Sequence, residues 1–191
     1  MPQTIDFYFD IVSPYTYMAT AEISELASRC DAQVCWKPIF LGGLFKSLNN
    51  PNVFGSVPQK VPYLKKDMQR LARYLGVPFQ FPENFPVNTL LAQRALAQLP
   101  EDQVELAARK LFDALWAQGA EIASPEVVAA ATGEEAVVRA GTPEGKQALV
   151  ELTQSAMERG VFGAPTFFVG EEMFFGHDRL TLLEAHLLGK L

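Results

Sequence analysis

Residues 4 to 20 read TIDFYFDIVSPYTYMAT, and the switch inside that stretch limits the fold more than any other feature of the chain. Thr4 to Phe9 alternates weakly and is rich in β-formers, which predicts a strand. Ser13-Pro14 predicts a helix start, because serine is a favoured N-cap and proline is welcome at the first helical position. Ile23, Leu26, Ala27 and Cys30 recur at helical spacing, so the helix is expected to run on to Cys30. Residues 33 to 41, QVCWKPIFL, predict a second strand, closed by the glycines of LGGLF. A strand–helix–strand opening of this kind favours a parallel pair.

The middle of the chain changes character. Residues 47 to 62, SLNNPNVFGSVPQKVP, predict a Pro/Asn/Gly loop. Leu64, Met68, Leu71 and Leu75 then mark a helix ended by Gly76. A second proline-punctuated loop, VPFQFPENFPVN, leads to Asn88, which can cap a helix running to about Leu99. Val104, Ala108, Leu111 and Leu115 mark another. Ser124-Pro125 and Thr142-Pro143 each pair an N-cap with a proline at the first helical position. The second opens a helix with Leu149, Leu152 and Ala156 on one face, stopped by Gly160. APTFFVG and MFF, joined by Gly170-Glu171-Glu172, predict a β-hairpin. Asp178 is expected to cap a last helix through Leu180, Leu183 and Leu187.

With 191 residues, the expectation is one domain carrying a large insertion, and 49% hydrophobic residues are enough for a core. A net charge of −6 without a basic run argues against nucleic acid as a partner. No apolar stretch approaches the roughly 20 residues that span a bilayer. The start MPQTIDFYFD has acids inside its apolar run and no basic n-region, unlike a signal peptide. A cytoplasmic protein without membrane contact is the expectation. Cys30 and Cys35 are spaced for neither a redox Cys-x-x-Cys nor a zinc pair, and no metal site is predicted. Both read as structural thiols.

The order βαβ, helical block, ββα is that of a thioredoxin-like α/β fold with an all-helical insertion. FYFDIVSPYTYMA stands at the catalytic turn, GVFGAPTFFV where that fold keeps a cis-proline, and FFGHDRL at the entry to the final helix. With LGGLFK, NNP, VPQK and FPVNTL, these segments resemble the 2-hydroxychromene-2-carboxylate isomerase and kappa-class glutathione transferase family. That family is a glutathione-using relative of the bacterial periplasmic disulfide oxidases. The similarity extends over essentially the whole chain. It implies a discontinuous thioredoxin-like domain, 1–45 and 160–191, interrupted by a helical domain, 46–159.

At the turn where a thiol–disulfide enzyme carries Cys-x-x-Cys, this chain has Ser13 and Thr16. A helix N-terminus favours a thiolate. The resemblance implies that the thiol arrives with glutathione and that Ser13, the catalytic residue, donates a hydrogen bond to its sulfur. Taken alone, Ser13 is a helix cap, Lys60 a solvated lysine and Pro165 a proline at a strand start. The family adds roles in binding glutathione. Ala164 and Pro165 would hold its cysteine moiety through a cis peptide. Asp178 and Arg179, with His177 beside them, would hold its γ-glutamyl end, and Lys60 and Asn50 its glycine end. Tyr15, Lys46, Phe85 and Asn88 would contact the substrate, and Phe45 and Trp116 are further aromatics for that pocket.

The function implied is glutathione-dependent cis–trans isomerisation of a 2-hydroxychromene-2-carboxylate-type aromatic compound by a homodimer. The alternatives are a kappa-class-like transferase, a thiol–disulfide oxidoreductase, or a non-catalytic thioredoxin-like binding module.

Overall fold

The computed structural model describes residues 2–50 and 57–191. A four-stranded mixed sheet has the order β2-β1-β3-β4. β1 (Gln3–Phe9) runs parallel to β2 (Ala32–Pro38), with Phe7 opposite Trp36. β3 (Thr166–Val169) runs antiparallel to β1, and β4 (Glu172–Phe175) antiparallel to β3 through the expected hairpin. This is the thioredoxin-like α/β arrangement that the element order implies.

The first predicted helix is two. α1 (Pro14–Thr20) stops and α2 (Ile23–Arg29) restarts. Arg109, from the helix Glu101–Phe112, explains the break. Its Nη1 donates to the Thr20 carbonyl at 2.8 Å and its Nη2 to Ser24 Oγ at 2.7 Å. A carbonyl taken by a guanidinium is lost to the helix ladder. The second strand also ends earlier than expected. Leu41–Ser47 is a helix, α3, and the two glycines belong to it. They are there for close approach, since a Cβ at Gly42 would lie 2.8 Å from the Phe40 ring.

The next helix, α4 (Lys60–Leu75), begins three residues before Tyr63, so Lys60 opens a helix rather than lying in a loop. Pro62 fits because the first turn of a helix has no N–H bond to lose. Residues 51–56 of the expected loop lie outside the described residues. Gly76 closes α4 in the left-handed conformation, at φ 68°. α5 (Leu90–Leu96) is shorter than expected, and α6 (Glu101–Phe112) runs on into a π-helical turn, 113–117. Ser124 and Thr142 cap α7 (Pro125–Thr132) and α9 (Pro143–Glu158) through their side chains, as their Ser-Pro and Thr-Pro pairs predict. Gly133, at φ 87°, divides α7 from α8 (Glu134–Gly141).

Asp178 does not cap the last helix, α10 (Leu180–Leu187). It sits in a 3₁₀ turn, 177–179, and its side chain folds back over Gly176, where a Cβ would lie 2.7 Å from Oδ1. Gly176, at φ 105°, turns its N–H to the Pro165 carbonyl at 2.9 Å.

One core runs from the sheet into the helices. Phe7, Phe9 and Phe167 pack with Phe112, Leu111 and Trp116 of the helical block. Gln93 bolts the two together. Fully buried on α5, its Nε2 donates to the carbonyls of Phe9 (2.9 Å) and Ile39 (2.6 Å), at the ends of β1 and β2. Gln93→Leu keeps the bulk and strands the Ile39 carbonyl, while the Phe9 carbonyl keeps the Ile39 N–H at 2.9 Å. It is expected to cost about 1–3 kcal/mol of unfolding free energy in urea titrations, and a loss below about 0.5 kcal/mol contradicts the role.

Candidate active site

β1 ends at Phe9, and the four residues after it build the site. Ser13 is 6% exposed and lies in extended backbone, at φ −86°, which aims its side chain across the start of α1. Ser13 Oγ accepts the Thr16 N–H at 3.2 Å and donates to the Ala164 carbonyl at 3.0 Å. Ser13 Oγ thus caps α1, while its proton points across to the loop before β3. The Ala164–Pro165 peptide is cis, as the family implies, and so is Phe85–Pro86, which no sequence signal marked out.

A cleft of about 620 Å³ opens beside Ser13, between the sheet end and the helical block. Its mouth carries Phe162 and Phe175, half-exposed rings 4.5 Å apart. Ser13, Tyr15, Asn50, Phe85, Asn88 and Ala164 line this cleft, and so does Phe45. Lys46 lines a different groove, with Arg94 and Lys146, on the far side of α3. Trp116 lies behind the wall, fully buried and stacked on Phe79. Asn88 is exposed, and its Oδ1 accepts the Leu90 N–H at 3.0 Å, so it supports the start of α5 while Thr89 takes the cap position.

Lys60, His177, Asp178 and Arg179 do not line the cleft; they lie on α4 and on the 3₁₀ turn, elements that both pack against α1. Pro165 is buried. Asp178 and Arg179 are exposed and paired at 3.5 Å. His177 stacks on Tyr15, ring centroids 5.3 Å apart. Burial pushes the imidazole below its usual 6.5 and, with Asp67, Tyr63 and Asp178 nearby, pushes the Tyr15 phenol up.

Two wall residues escaped the sequence reading. Asp10 is fully buried and accepts three hydrogen bonds, one of them from Thr89. An acid inside the apolar run FYFDIV was its available signal. The chain's own thiols are elsewhere: Cys35 in β2, opposite Asp6, and Cys30 at the end of α2. Both are unpaired and half-buried, and desolvation raises both above the usual thiol value.

The family model of the DSBA-like thioredoxin domain matches residues 4–188. The chain belongs to that family. Among its DSBA-like relatives, a 2-hydroxychromene-2-carboxylate isomerase of Sphingobium xenophagum is 30% identical, over 98% of this chain and 100% of its own length. The human glutathione S-transferase kappa 1 is 29% identical, over 100% of this chain and 92% of its own. A solved 2-hydroxychromene-2-carboxylate isomerase superposes with a TM-score of 0.86 at 30% identity, covering 97% of this chain and 95% of that one. Among the described residues, no helix is long and apolar enough to cross a membrane.

The stacked pair makes a testable statement. His177 is expected to be neutral at pH 7, with an NMR titration midpoint below 6.5. Tyr15→Ala removes the covering ring and is expected to bring the midpoint back toward 6.5. An unchanged midpoint contradicts burial by Tyr15 as the cause.

Proposed function

We propose that the chain is a glutathione-dependent cis–trans isomerase acting on 2-hydroxychromene-2-carboxylate-type aromatic compounds. The observation that carries the reading is the Ser13 hydroxyl, poised on the Ala164 carbonyl at the wall of an aromatic-lined cleft, in a chain similar over its whole length to isomerases of that name. The donor set suits a charged peptide thiol. Asp178 and Arg179 offer both signs for an amino-acid end, Lys60 a cation for a carboxylate, and Ala164 a backbone edge for the middle.

Glutathione held there would supply a thiolate nucleophile: its addition would break the ring C–O bond and turn a double bond into a rotatable single bond, and its loss would restore the double bond with no net redox change. The protein's part is positioning and charge stabilisation. Ser13 turns its O–H from Ala164 to the sulfur, where a charged acceptor holds it more strongly than a carbonyl does. The Thr16 N–H keeps the oxygen in place through that turn. The start of α1 adds positive potential on the same side. Phe45, Phe85, Tyr15 and the Phe162–Phe175 pair give an aromatic acid flat apolar walls and keep water from the reacting carbons. Asn88 and Asn50 offer amides to its polar groups.

A homodimer in the cytoplasm, where glutathione is held reduced, belongs to the same reading. The kappa-class transferase is the second reading, favoured by the human relative's match over the full chain. A disulfide oxidoreductase fits less well, because serine and threonine hold the turn and both cysteines have raised thiol pKa values.

The test is turnover of a 2-hydroxychromene-2-carboxylate with and without glutathione. Isomerisation that needs glutathione but does not consume it supports the proposal, and stoichiometric consumption moves the assignment to a transferase. Ser13→Ala is expected to lower the rate roughly 10- to 150-fold, the worth of one hydrogen bond to a charged acceptor. A wild-type rate in Ser13→Ala reduces Ser13 to a helix cap.

A further inference from the structure

Asp10 stands where three separate segments meet. Its Oδ1 accepts the Val12 N–H at 3.0 Å and the Thr89 hydroxyl at 2.7 Å, and its Oδ2 accepts the Leu41 N–H at 2.9 Å. Val12 belongs to the β1–α1 turn that presents Ser13. Leu41 begins α3. Thr89 precedes α5 and follows the Phe85–Asn88 wall. All four residues line the cleft. The Asp10 carbonyl also accepts the Ser13 N–H at 3.0 Å, so both ends of the residue set the position of that turn.

We propose that Asp10 is a positioning residue: its buried carboxylate ties the Ser13 turn, the start of α3 and the Thr89 segment into one acceptor-binding wall, and that hold loosens when it takes up a proton. Every one of the three bonds is donated to the carboxyl. A proton on Oδ2 would face the Leu41 N–H, and one on Oδ1 would force the Thr89 hydroxyl to turn from donor to acceptor; in either case the Val12 and Leu41 amides exchange a charged acceptor for a weaker neutral one, so protonation loosens the hold. Burial raises the Asp10 pKa to about 6, with the three hydrogen bonds pulling the other way. The transition thus falls within a physiological range. Of the residues lining the cleft, the other titratable side chain is Tyr15, which ionises far above this range, with His177 stacked on its outer side.

The proposal rests on the preceding functional reading only for what the wall binds, and a reporter that needs no turnover separates the two. Trp116 Nε1 donates to the Ile11 carbonyl at 2.8 Å, one residue from Asp10, and so senses the turn. In protein labelled with 5-fluorotryptophan, ¹⁹F NMR distinguishes Trp116 from Trp36. The Trp116 resonance is expected to shift with a midpoint near pH 6 in wild type and in His177→Gln, and to stay flat from pH 5 to 7.5 in Asp10→Asn. Thr89→Val removes one bond that favours the carboxylate and is expected to move the midpoint upward. This variant keeps the proposal testable if Asp10→Asn does not fold.

For turnover, wild-type kcat/KM for the aromatic acceptor is expected to fall about tenfold per pH unit below the midpoint. Asp10→Asn is expected to be at least tenfold lower at pH 7.5 through a raised KM, without that acid limb. A flat wild-type Trp116 signal overturns the proposal, as does a midpoint that survives in Asp10→Asn or is unmoved in Thr89→Val. Absence of turnover with the Trp116 titration intact overturns the functional reading and leaves the positioning role standing.

Discussion

The turn between β1 and α1 is held from both halves of the chain, and the cleft depends on that grip. From the sheet side, the Ala164 carbonyl takes the Ser13 proton. From the helical side, Trp116 holds the Ile11 carbonyl, Thr89 holds the Asp10 carboxylate, and the Tyr17 hydroxyl reaches the Pro78 carbonyl at 2.8 Å. Each is a bond between elements far apart in sequence. Together they hold a short stretch of backbone in the wall of a pocket lined by both the sheet end and the helical block. A site assembled this way combines the stiffness of a shared core with walls that can diverge in shape.

The same grip has an electrostatic cost. Asp10 is a carboxylate in a fully buried position, and its pKa of about 6 in the fold lies roughly two units above that of a free aspartate. The neutral form is therefore the one the fold prefers. Stability from this group is greatest below about pH 4, falls as pH rises from 4 to 6, and is lower by about 3 kcal/mol at neutral pH. A simple core would put an apolar residue here. Ionised Asp10 instead orients three segments around Ser13, so the fold gives up stability where the site requires geometry.

Strong local chemistry made much of this legible in the sequence. Ser13-Pro14, Ser124-Pro125 and Thr142-Pro143 mark helix starts because the cap and the proline each satisfy the same end of a helix, and all three caps form. Gly76 and the Gly170 turn are equally local. The misread elements were decided by distant partners. Arg109 splits the first helix from 89 residues away, and Asp10 receives the first amide of α3 from 31 away, where the glycines suggested only the end of a strand. Within the candidate site, the meeting of the Ser13 turn with the β3 loop was readable because both sit in compact motifs. Thr89 was not, since a threonine beside an asparagine cap looks ordinary until the buried acid it serves is known. Lys46 was misleading for a related reason: its neighbours in LGGLFK face the cleft, while the rotation of α3 carries Lys46 to the opposite groove.

The central claim is that this fold uses a serine where its redox relatives use cysteine because the reacting sulfur belongs to glutathione. Near-ultraviolet thiolate absorbance of protein-bound glutathione, followed against pH, tests it directly. The account predicts a bound thiol that ionises at least one pH unit below the free cysteine value of about 8.5, and a return toward that value in Ser13→Ala with binding retained. A bound thiol that titrates like free glutathione, or identically in wild type and Ser13→Ala, contradicts it.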